Sequence, residues 1–265
     1  MSDAALSKLR TLLEQRHGIG ERSGGWVTSR LQHAFDAISR EAGGPDAALD
    51  LLRIDALRLA ELAECLRVGE TRFYRDPEQW TALTRHCRER FFATGRVRGL
   101  SVGCSNGQEA LTLAMLLDQE RDAAGLGSMS LRVVGIDKSE QAIETARDGL
   151  YSEAELAPLP RDLRARYFTP TEQGVRIDEG LRKWVSFSVR DALSGPPPGL
   201  WEVVICKNVL IYLSDDAAER VVAQLLRALG DDGVLLLARS DVPRVRALGH
   251  RADELAPGVT VFRAG

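Results

Sequence analysis

The sequence predicts an open α/β fold preceded by a helical region. Residues 1 to about 76 carry leucines at helical spacing, such as Leu9, Leu12 and Leu13, and no segment typical of a strand. From about residue 97, short apolar or β-branched runs alternate with helical stretches, which is typical of a parallel sheet with helices on both faces. These two patterns predict an N-terminal helical domain over 1–76 and an α/β domain over 77–265.

The elements follow in order along the chain. Breaks at Gly18–Gly20, Ser23–Gly25 and Gly43–Pro45 divide the first region into short helices. Six candidate strands of the sheet then cover Val97–Gly103, Leu131–Asp137, Val185–Val189, Glu202–Cys206, Val234–Ala238 and Val259–Phe262. Helical stretches cover Gln108–Asp122, Glu140–Gly149 and Asp215–Leu229, with a shorter one near Arg244.

One interval is too long for this pattern. About fifty residues separate the second and third candidate strands, more than a crossover helix needs. Within them, Thr169–Asp178 has the pattern of a turn followed by a short alternating strand. We therefore expect a small β-subdomain inserted at about 165–184.

Composition and charge exclude several functions. The 265 residues include 44% hydrophobic and 28% charged residues, as in globular proteins. The formal net charge is −3, and there is no basic run to follow a phosphate backbone, so we expect no nucleic-acid partner. We also expect no membrane insertion, because no stretch approaches the roughly 18 apolar residues of a membrane span and the first residues lack a signal peptide's apolar core.

Cysteine and histidine are few and dispersed. Four of each are present, none in a spacing that suggests a disulfide framework, a metal site or a histidine-activated nucleophile. We expect no metal and a cytoplasmic location. The residues concerned are Cys65, Cys87, Cys104, Cys206, His17, His33, His86 and His250.

A glycine-containing turn follows the first candidate strand and opens a helix. Gly103 and Gly107 in this turn, which also contains Ser105, would let the backbone approach a ligand closely. An ordinary strand-to-helix turn is the alternative. Glu109 in the first helical turn disfavours a pyrophosphate and favours a ligand with a cationic amino group, such as S-adenosylmethionine, although Glu109 could equally stabilise its helix through the macrodipole.

Polar side chains also follow the other candidate strands. Asp137 ends the second strand, where an acidic group can accept hydrogen bonds from ribose hydroxyls; the alternative is a cap for the next helix. Asp191 follows the third strand, where it could accept from an adenine amino group. Lys207 and Asn208 follow the fourth. Ligands of open α/β sheets bind outside these strand ends, so the sequence predicts a binding site there.

Two motifs stand out, ETRFYRD at 70–76 and CKNVLIYL at 206–213. They resemble the T-x-FFRD and CRNVLIYF motifs of the chemotaxis receptor methyltransferases, the CheR-type protein-glutamate O-methyltransferases. The segment GLYSEAELAPLPRDLRARYF lies between them in the family order. The resemblance covers nearly the whole chain.

The resemblance implies a Rossmann-like catalytic domain that transfers a methyl group from S-adenosylmethionine to glutamate carboxylates of a chemoreceptor or related signalling protein. It implies that Arg75 and Tyr212 face the methyl-transfer site. The implied cofactor contacts are Thr71, Arg75, Glu109, Asp137, Asp191 and Asn208, and we add Gly103, Ser105, Gly107, Ala192 and Lys207 as candidates. The alternatives are a helix cap at Thr71, an ion pair of Arg75 with Asp76 or Glu78, and a half-buried aromatic at Tyr212.

Some positions depart from the family. Gly69 stands where many members have Asn, Lys207 where they have Arg, and Asp241 where they have Glu. Lysine lacks the planar fork of donors that arginine has, so a bidentate contact at Lys207 would be weakened. Asp191–Ala192 replaces Asn-Leu but matches what other S-adenosylmethionine enzymes use for adenine.

Substrate recognition is expected to differ from that of members that dock on a receptor's tether peptide. These members carry a longer glycine-rich loop, whereas only TPTEQG separates Phe168 from Val175. We expect tether-independent recognition of a receptor's cytoplasmic helical region. The alternatives are a methyltransferase for another protein or a small molecule, a non-catalytic cofactor-binding module and, most weakly, a nicotinamide dehydrogenase. The chain could also be one domain of a longer protein.

Overall fold

The computed structural model describes residues 3–20, 25–66, 71–125, 127 and 129–264. The chain forms two compact units, one of residues 1–69 with 209–220 and one of residues 70–208 with 221–265. The division thus falls after residue 69, whereas the sequence predicted a boundary after residue 76. Phe73 explains the difference, because its side chain is fully buried in the core of the second unit.

The first unit is helical. Its helices are α1 (Asp3–His17), α2 (Gly25–Ala42), α3 (Pro45–Ile54) and α4 (Ala56–Glu64). Apolar side chains at helical spacing, such as Leu9, Leu13 and Phe35, form its buried core. The Asp55 carboxylate starts α4 by accepting a hydrogen bond from the Arg58 backbone N–H at 3.0 Å.

The second unit contains a seven-stranded sheet in the order β6-β2-β1-β7-β8-β10-β9. The first five strands in this order are parallel, and β10 and β9 are antiparallel additions. The bounds are β1 (Arg96–Val102), β2 (Ser130–Asp137), β6 (Val185–Val189), β7 (Trp201–Cys206), β8 (Leu229–Leu237), β9 (Ala252–Ala256) and β10 (Val259–Phe262). The predicted α/β fold class is confirmed.

Strand β9 was not predicted. It contains Asp253 and Glu254, residue types that are depleted in strands, and it lies at the edge of the sheet. Charged residues are tolerated at an edge, where they also oppose pairing with another chain.

Among the described residues, one helix precedes this sheet and four follow its strands in the chain. They are α5 (Pro77–Thr94), α6 (Gln108–Ala123), α7 (Glu140–Asp148), α11 (Asp215–Arg227), which begins in the first unit, and α12 (Val242–Ala247). Helix α6 is buried around most of its circumference, which fits its continuous apolar sequence. Across the described ranges, every helix is too short or too polar to span a membrane.

A second, three-stranded sheet lies between β2 and β6 in the chain. Its strands β3 (Leu150–Tyr151), β4 (Phe168–Thr171) and β5 (Gly174–Ile177) pair in the order β3-β5-β4. The accompanying helices are α8 (Glu153–Leu156), α9 (Arg161–Tyr167) and α10 (Glu179–Arg182). The sheet thus begins at residue 150, upstream of the predicted 165, because the two-residue β3 is too short to give a sequence pattern.

Candidate functional site at the carboxyl edge of the sheet

Four adjacent parallel strands place their predicted site residues at one edge of the sheet. In spatial order β6, β2, β1 and β7, these strands are followed or ended by Asp191, Asp137, the turn 103–107 and Lys207–Asn208. The chain runs from β1 to β2 on one side and reaches β7 on the other, so the strand order reverses between β1 and β7. In open α/β sheets, this reversal opens the crevice in which ligands bind.

The backbone and the packing of the turn 103–107 restrict which residues it can contain, whether or not it binds a ligand. Gly103 and Ser105 have left-handed backbones, with φ of 70° and 49°. Gly107, with φ of 90°, precedes the first residue of α6. A Cβ at Gly107 would lie 2.9 Å from Ala146 Cβ and 3.0 Å from Phe187 Cζ. Packing and backbone conformation therefore require Gly107 independently of any ligand.

Asp137 connects this turn to the end of β2. Its side chain is buried, Oδ2 accepts the Ser105 backbone N–H at 2.8 Å, and Oδ1 accepts the Ser139 N–H at 3.0 Å. The cap of α7 is Ser139, whose hydroxyl accepts the Ala142 N–H, so the alternative of Asp137 as the helix cap is wrong. The carboxylate instead fixes the turn beside the strand end.

Glu109 lies in the first turn of α6 and faces the switch point. Its Oε1 accepts a hydrogen bond from Ser101 Oγ at 2.8 Å, and its Oε2 is 3.8 Å from Lys207 Nζ. Burial raises the pKa of Glu109, and the rise is limited by Lys207, by the Ser101 hydrogen bond and by the charge of Arg75. Ser101 was not identified as a site residue from the sequence. A polar residue near the end of the strand that leads into the turn could have indicated it.

Asp191 and Ala192 follow β6 and are half-buried. Asp191 Oδ1 accepts the Leu193 N–H at 2.8 Å and so begins the short 3-10 helix Ala192–Ser194. The preceding Arg190 N–H donates to the Asp137 carbonyl at 2.8 Å. This backbone bond connects the segments that carry the two aspartates.

The segment 71–76 also belongs to this unit, and Thr71 and Arg75 within it are half-buried. The Phe73 ring packs edge-on against Tyr151 and Phe168, with centroids 5.0 and 5.5 Å away. The carboxylates suggested as alternative partners of Arg75 pair elsewhere. Asp76 faces Lys207, and Glu78 faces Arg239.

Lys207 departs from its predicted role as a cofactor contact. Its Nζ lies 3.2 Å from the Arg75 carbonyl, 3.5 Å from Asp76 Oδ2 and 3.5 Å from Gln79 Oε1. An ammonium has three donors, and these three protein acceptors account for them. Gln79 was missed in the sequence because it lies 128 residues from Lys207 and no local pattern signals the contact.

Two further predicted site residues follow Lys207 in the chain. Asn208 has a left-handed backbone with φ of 58°, which asparagine tolerates, and it is half-buried at the end of β7. Tyr212 belongs to the first unit, where its carbonyl accepts the Gly20 N–H at 2.8 Å. Its catalytic role stays a prediction.

The acceptors at this edge fit S-adenosylmethionine. Carboxylates suit its ammonium, its ribose hydroxyls and its adenine amino group. Asp137 supplies one at the end of β2, Glu109 one in the helix that follows β1, and Asp191 one just after β6. A phosphate-containing ligand would instead meet this acidic set unfavourably. Among the residues that the structure describes, no three His, Cys, Asp or Glu side chains are grouped to hold a metal ion.

Comparison with known proteins agrees with this fit. Residues 69–247 match the family model described as CheR methyltransferase, SAM binding domain. The chain is 32% identical over 221 residues to an uncharacterized 104.1 kDa protein of Rhodobacter capsulatus, covering 82% of this chain and 23% of that protein. It is 33% identical over 208 residues to the probable biofilm formation methyltransferase WspC of Pseudomonas putida, covering 76% of this chain and 48% of WspC.

A third relative is matched over most of its length. The chemotaxis protein methyltransferase of Salmonella typhimurium is 27% identical over 249 residues, which cover 91% of this chain and 84% of that protein. The chain thus spans less than half of the first two relatives and most of the third. The match to the family model covers more than half of the 265 residues. The chain therefore belongs to the CheR methyltransferase family, and residues 69–247 are its S-adenosylmethionine-binding domain.

Proposed function

We propose that the protein transfers a methyl group from S-adenosylmethionine to glutamate side-chain carboxylates of a chemoreceptor or a related signalling protein. One observation carries the proposal. Glu109, Asp137 and Asp191 lie at or just beyond the carboxyl ends of the adjacent strands β1, β2 and β6, beside the point where the strand order reverses.

Each carboxylate has a distinct part in holding the cofactor. Glu109, kept near Lys207 and Ser101, would bind the cationic ammonium group. Asp137 would accept from the ribose hydroxyls and Asp191 from the adenine amino group, with Thr71, Gly103, Ala192 and Asn208 as further proposed contacts. When bound, the cofactor supplies an electrophilic methyl group on its sulfonium.

The protein's task toward the substrate is orientation. A glutamate carboxylate has an ordinary pKa of about 4.3, so it is ionised at neutral pH and needs no general base. Arg75 is the half-buried arginine of the segment 71–76, in which Arg72 is exposed, and we propose that the Arg75 guanidinium orients the incoming carboxylate. Proximity and alignment of this kind can lower a barrier by several kcal/mol. Tyr212 is proposed to share this role on the family resemblance alone.

The named relatives support the substrate class. Two of them are a chemotaxis protein methyltransferase and a methyltransferase of biofilm formation. The hairpin between β4 and β5 leaves only Glu172 and Gln173 outside the strands, so it has no extended loop for a tether peptide. We propose that the cytoplasmic helical region of the receptor is recognised directly and that the protein acts in the cytoplasm.

The test is a labelling experiment. The purified chain is incubated with methyl-labelled S-adenosylmethionine and membranes of the source organism, and labelled bands are treated with alkali. Methanol released from a receptor band would show a carboxyl methyl ester. If the chain binds S-adenosylhomocysteine but labels no protein, the receptor substrate is wrong, and a small-molecule substrate or a cofactor-binding module takes its place. A variant Glu109→Gln serves as the cofactor-site control.

A further inference from the structure

Lys207 brings a buried positive charge to the switch point between β1 and β7. Its side chain is only 2% exposed, and Nζ lies 4.9 Å from the centre of the Trp80 ring. A buried ammonium is costly unless it is paired and hydrogen-bonded. Lys207 and the groups that pair with it therefore fix one another's positions.

Within the described ranges, the hydrogen-bond acceptors of this ammonium come from one short segment. They are the Arg75 carbonyl, Asp76 Oδ2 and Gln79 Oε1, at 3.2, 3.5 and 3.5 Å. On the N-terminal side of Arg75, the Tyr74 N–H donates to Thr112 Oγ1 at 3.2 Å. On its C-terminal side, Lys207 acts together with the pair of Glu78 and Arg239 and with the bond from Gln79 Nε2 to the Leu237 carbonyl at 3.2 Å. Among these contacts, Lys207 is the one that reaches the Arg75 carbonyl itself.

This segment needs external support because its backbone is strained. Tyr74 and Asp76 both lie in the left-handed region, with φ of 56° and 59°. For residues other than glycine, such conformations cost energy and persist only where the surroundings fix them. Arg75 lies between the two, so its position depends on the contacts that hold its neighbours.

The same ammonium also lies near Glu109, with 3.8 Å between Nζ and Oε2. Several elements place groups around this carboxylate. Lys207 and Arg75 favour its charged form, Asp76 opposes it, and Ser101 donates a hydrogen bond. Cys206, at the end of β7, is a buried thiol near Glu109, and burial raises its pKa well above the usual value. Lys207 is thus the cation that contacts both Glu109 and the segment of Arg75.

We propose that Lys207 is a positioning residue for methyl transfer: its ammonium fixes the backbone at Arg75 and, at the same time, the carboxylate of Glu109. Its donors are directed to protein acceptors, so it acts through these two residues. The proposal rests on the proposed function, because Arg75 and Glu109 act on substrate and cofactor only there.

The experiment compares three variants of the full chain by calorimetric titration with S-adenosylhomocysteine from about pH 5 to pH 9. Lys207→Met removes the charge, and Lys207→Arg retains it. Lys183→Met is the control, because it removes an exposed lysine beside Trp184. With the cation gone, the Glu109 carboxylate becomes harder to ionise, so binding should require higher pH. We expect the acidic limb of the affinity profile of Lys207→Met to move up by about one pH unit or more.

Asp76→Asn provides a test of opposite sign. Asparagine tolerates the left-handed backbone at this position, so this variant is expected to fold. Asp76 disfavours the charged form of Glu109, so its neutralisation should move the acidic limb to lower pH. A merely structural disturbance would not shift the two profiles in opposite directions. If Lys207→Met does not fold, Asp76→Asn still tests whether charges around Glu109 control cofactor binding, because the acidic limb of its affinity profile should move to lower pH. A shift to higher pH would contradict the proposal.

Backbone amide exchange provides a readout independent of cofactor binding. The Tyr74 N–H donates to Thr112 Oγ1, and the Gln79 N–H donates to the Asp76 carbonyl. In Lys207→Met both amides should exchange faster than in the wild type and in Lys183→Met. Lys207→Arg should keep the wild-type pH profile. Unchanged exchange, or a Lys207→Arg profile shifted as far as that of Lys207→Met, would overturn the proposal. If the wild type does not bind S-adenosylhomocysteine, the proposed function fails, while amide exchange still tests Lys207.

Discussion

The Asp137 carboxylate accepts the backbone N–H of Ser105 across the gap between β2 and the glycine turn, with 2.8 Å between Oδ2 and N. Ser105 is held in a left-handed conformation with φ of 49°. The Asp137 carboxylate therefore stabilises the turn, and it is also the group proposed to accept hydrogen bonds from the ribose hydroxyls. Cofactor affinity and turn stability should respond together when Asp137 is changed.

Asp137→Asn should weaken both properties. An amide presents only one oxygen, so the N–H of Ser105 or of Ser139 loses its acceptor and faces an NH₂ group. We expect a loss of about 1–3 kcal/mol in the free energy of unfolding, measured by denaturant titration, because a buried donor is left unsatisfied. The affinity for S-adenosylhomocysteine should fall in the same variant. Asp148→Asn, at an exposed site on α7, should change the unfolding free energy by less than about 0.5 kcal/mol. Equal stability of the two variants would contradict the role of Asp137.

Gly135→Ala and Gly107→Ala should differ in how much of the lost stability is restored when Phe187 is replaced by the smaller leucine. A Cβ at Gly135 would lie 2.6 Å from Phe187 Cδ1, and one at Gly107 would lie 3.0 Å from Phe187 Cζ. Overpacking of this kind costs about 1–3 kcal/mol. Gly107 has φ of +90°, so its alanine variant carries backbone strain that Phe187 cannot relieve.

A double-mutant cycle with Phe187→Leu measures this difference. Denaturant unfolding should show a larger recovery of stability for Gly135→Ala than for Gly107→Ala. Equal recovery would mean that backbone conformation at Gly107 contributes nothing. The Phe187→Leu variant alone is the reference for both cycles.

Local patterns predict the strands and the row of polar residues that follow them, because burial of a parallel strand requires a short apolar run whose end reaches the surface. The carboxylates at Glu109, Asp137 and Asp191 were accessible to such reasoning. The contacts of Lys207 were not, since its acceptors Asp76 and Gln79 lie 131 and 128 residues away. A lysine after a strand has the same local signature whether it faces a ligand or a buried carbonyl.

The packing around Gly107 was likewise not predictable from the local sequence. The turn 103–107 favours a ligand-binding interpretation because glycine permits close approach. The space beside Gly107 is in fact taken by Phe187 and Ala146, which come from later elements. Strand β9 and the two-residue β3 could not be predicted either, because edge pairing can stabilise residues of low strand propensity and very short segments.

Arg75→Ala should lower turnover more than Arg72→Ala. Both arginines lie in the segment 71–76, but Arg72 is exposed, while Arg75 is half-buried and close enough to affect the charge of Glu109. Loss of the guanidinium proposed to orient the carboxylate should reduce methyl transfer by about ten-fold or more, measured with labelled cofactor. Arg75→Lys should recover part of the rate, because a charge remains without the planar fork.

Tyr212→Phe tests the role that the family resemblance implies for that hydroxyl. We expect a lower rate of methyl transfer, measured with labelled cofactor, while the bond between the Tyr212 carbonyl and the Gly20 N–H is kept because it does not use the side chain. If Arg75→Ala and Tyr212→Phe both retain full turnover and normal affinity for S-adenosylhomocysteine, the proposed roles of these residues are wrong.

Asp241→Asn should stabilise the protein at alkaline pH. Asp241 is 2% exposed, its Oδ2 lacks a hydrogen-bond partner among the described residues, and burial raises its pKa to about 6, with Arg244 opposing the rise. Its pKa is about 3.9 in an unfolded chain. Between these values the folded state binds more protons than the unfolded state, so the free energy of unfolding falls as pH rises from about 4 to 6.

The asparagine variant lacks this ionisation, so its advantage over the wild type should be small near pH 4 and reach about 1–3 kcal/mol above pH 7. Denaturant unfolding at several pH values measures the difference. Asp231→Asn, at an exposed position of β8, is the matched control, and its difference from the wild type should not grow with pH over this range. A pH-independent difference for Asp241→Asn would mean that the carboxylate is not forced to ionise in a buried site, and that an unseen partner compensates its charge.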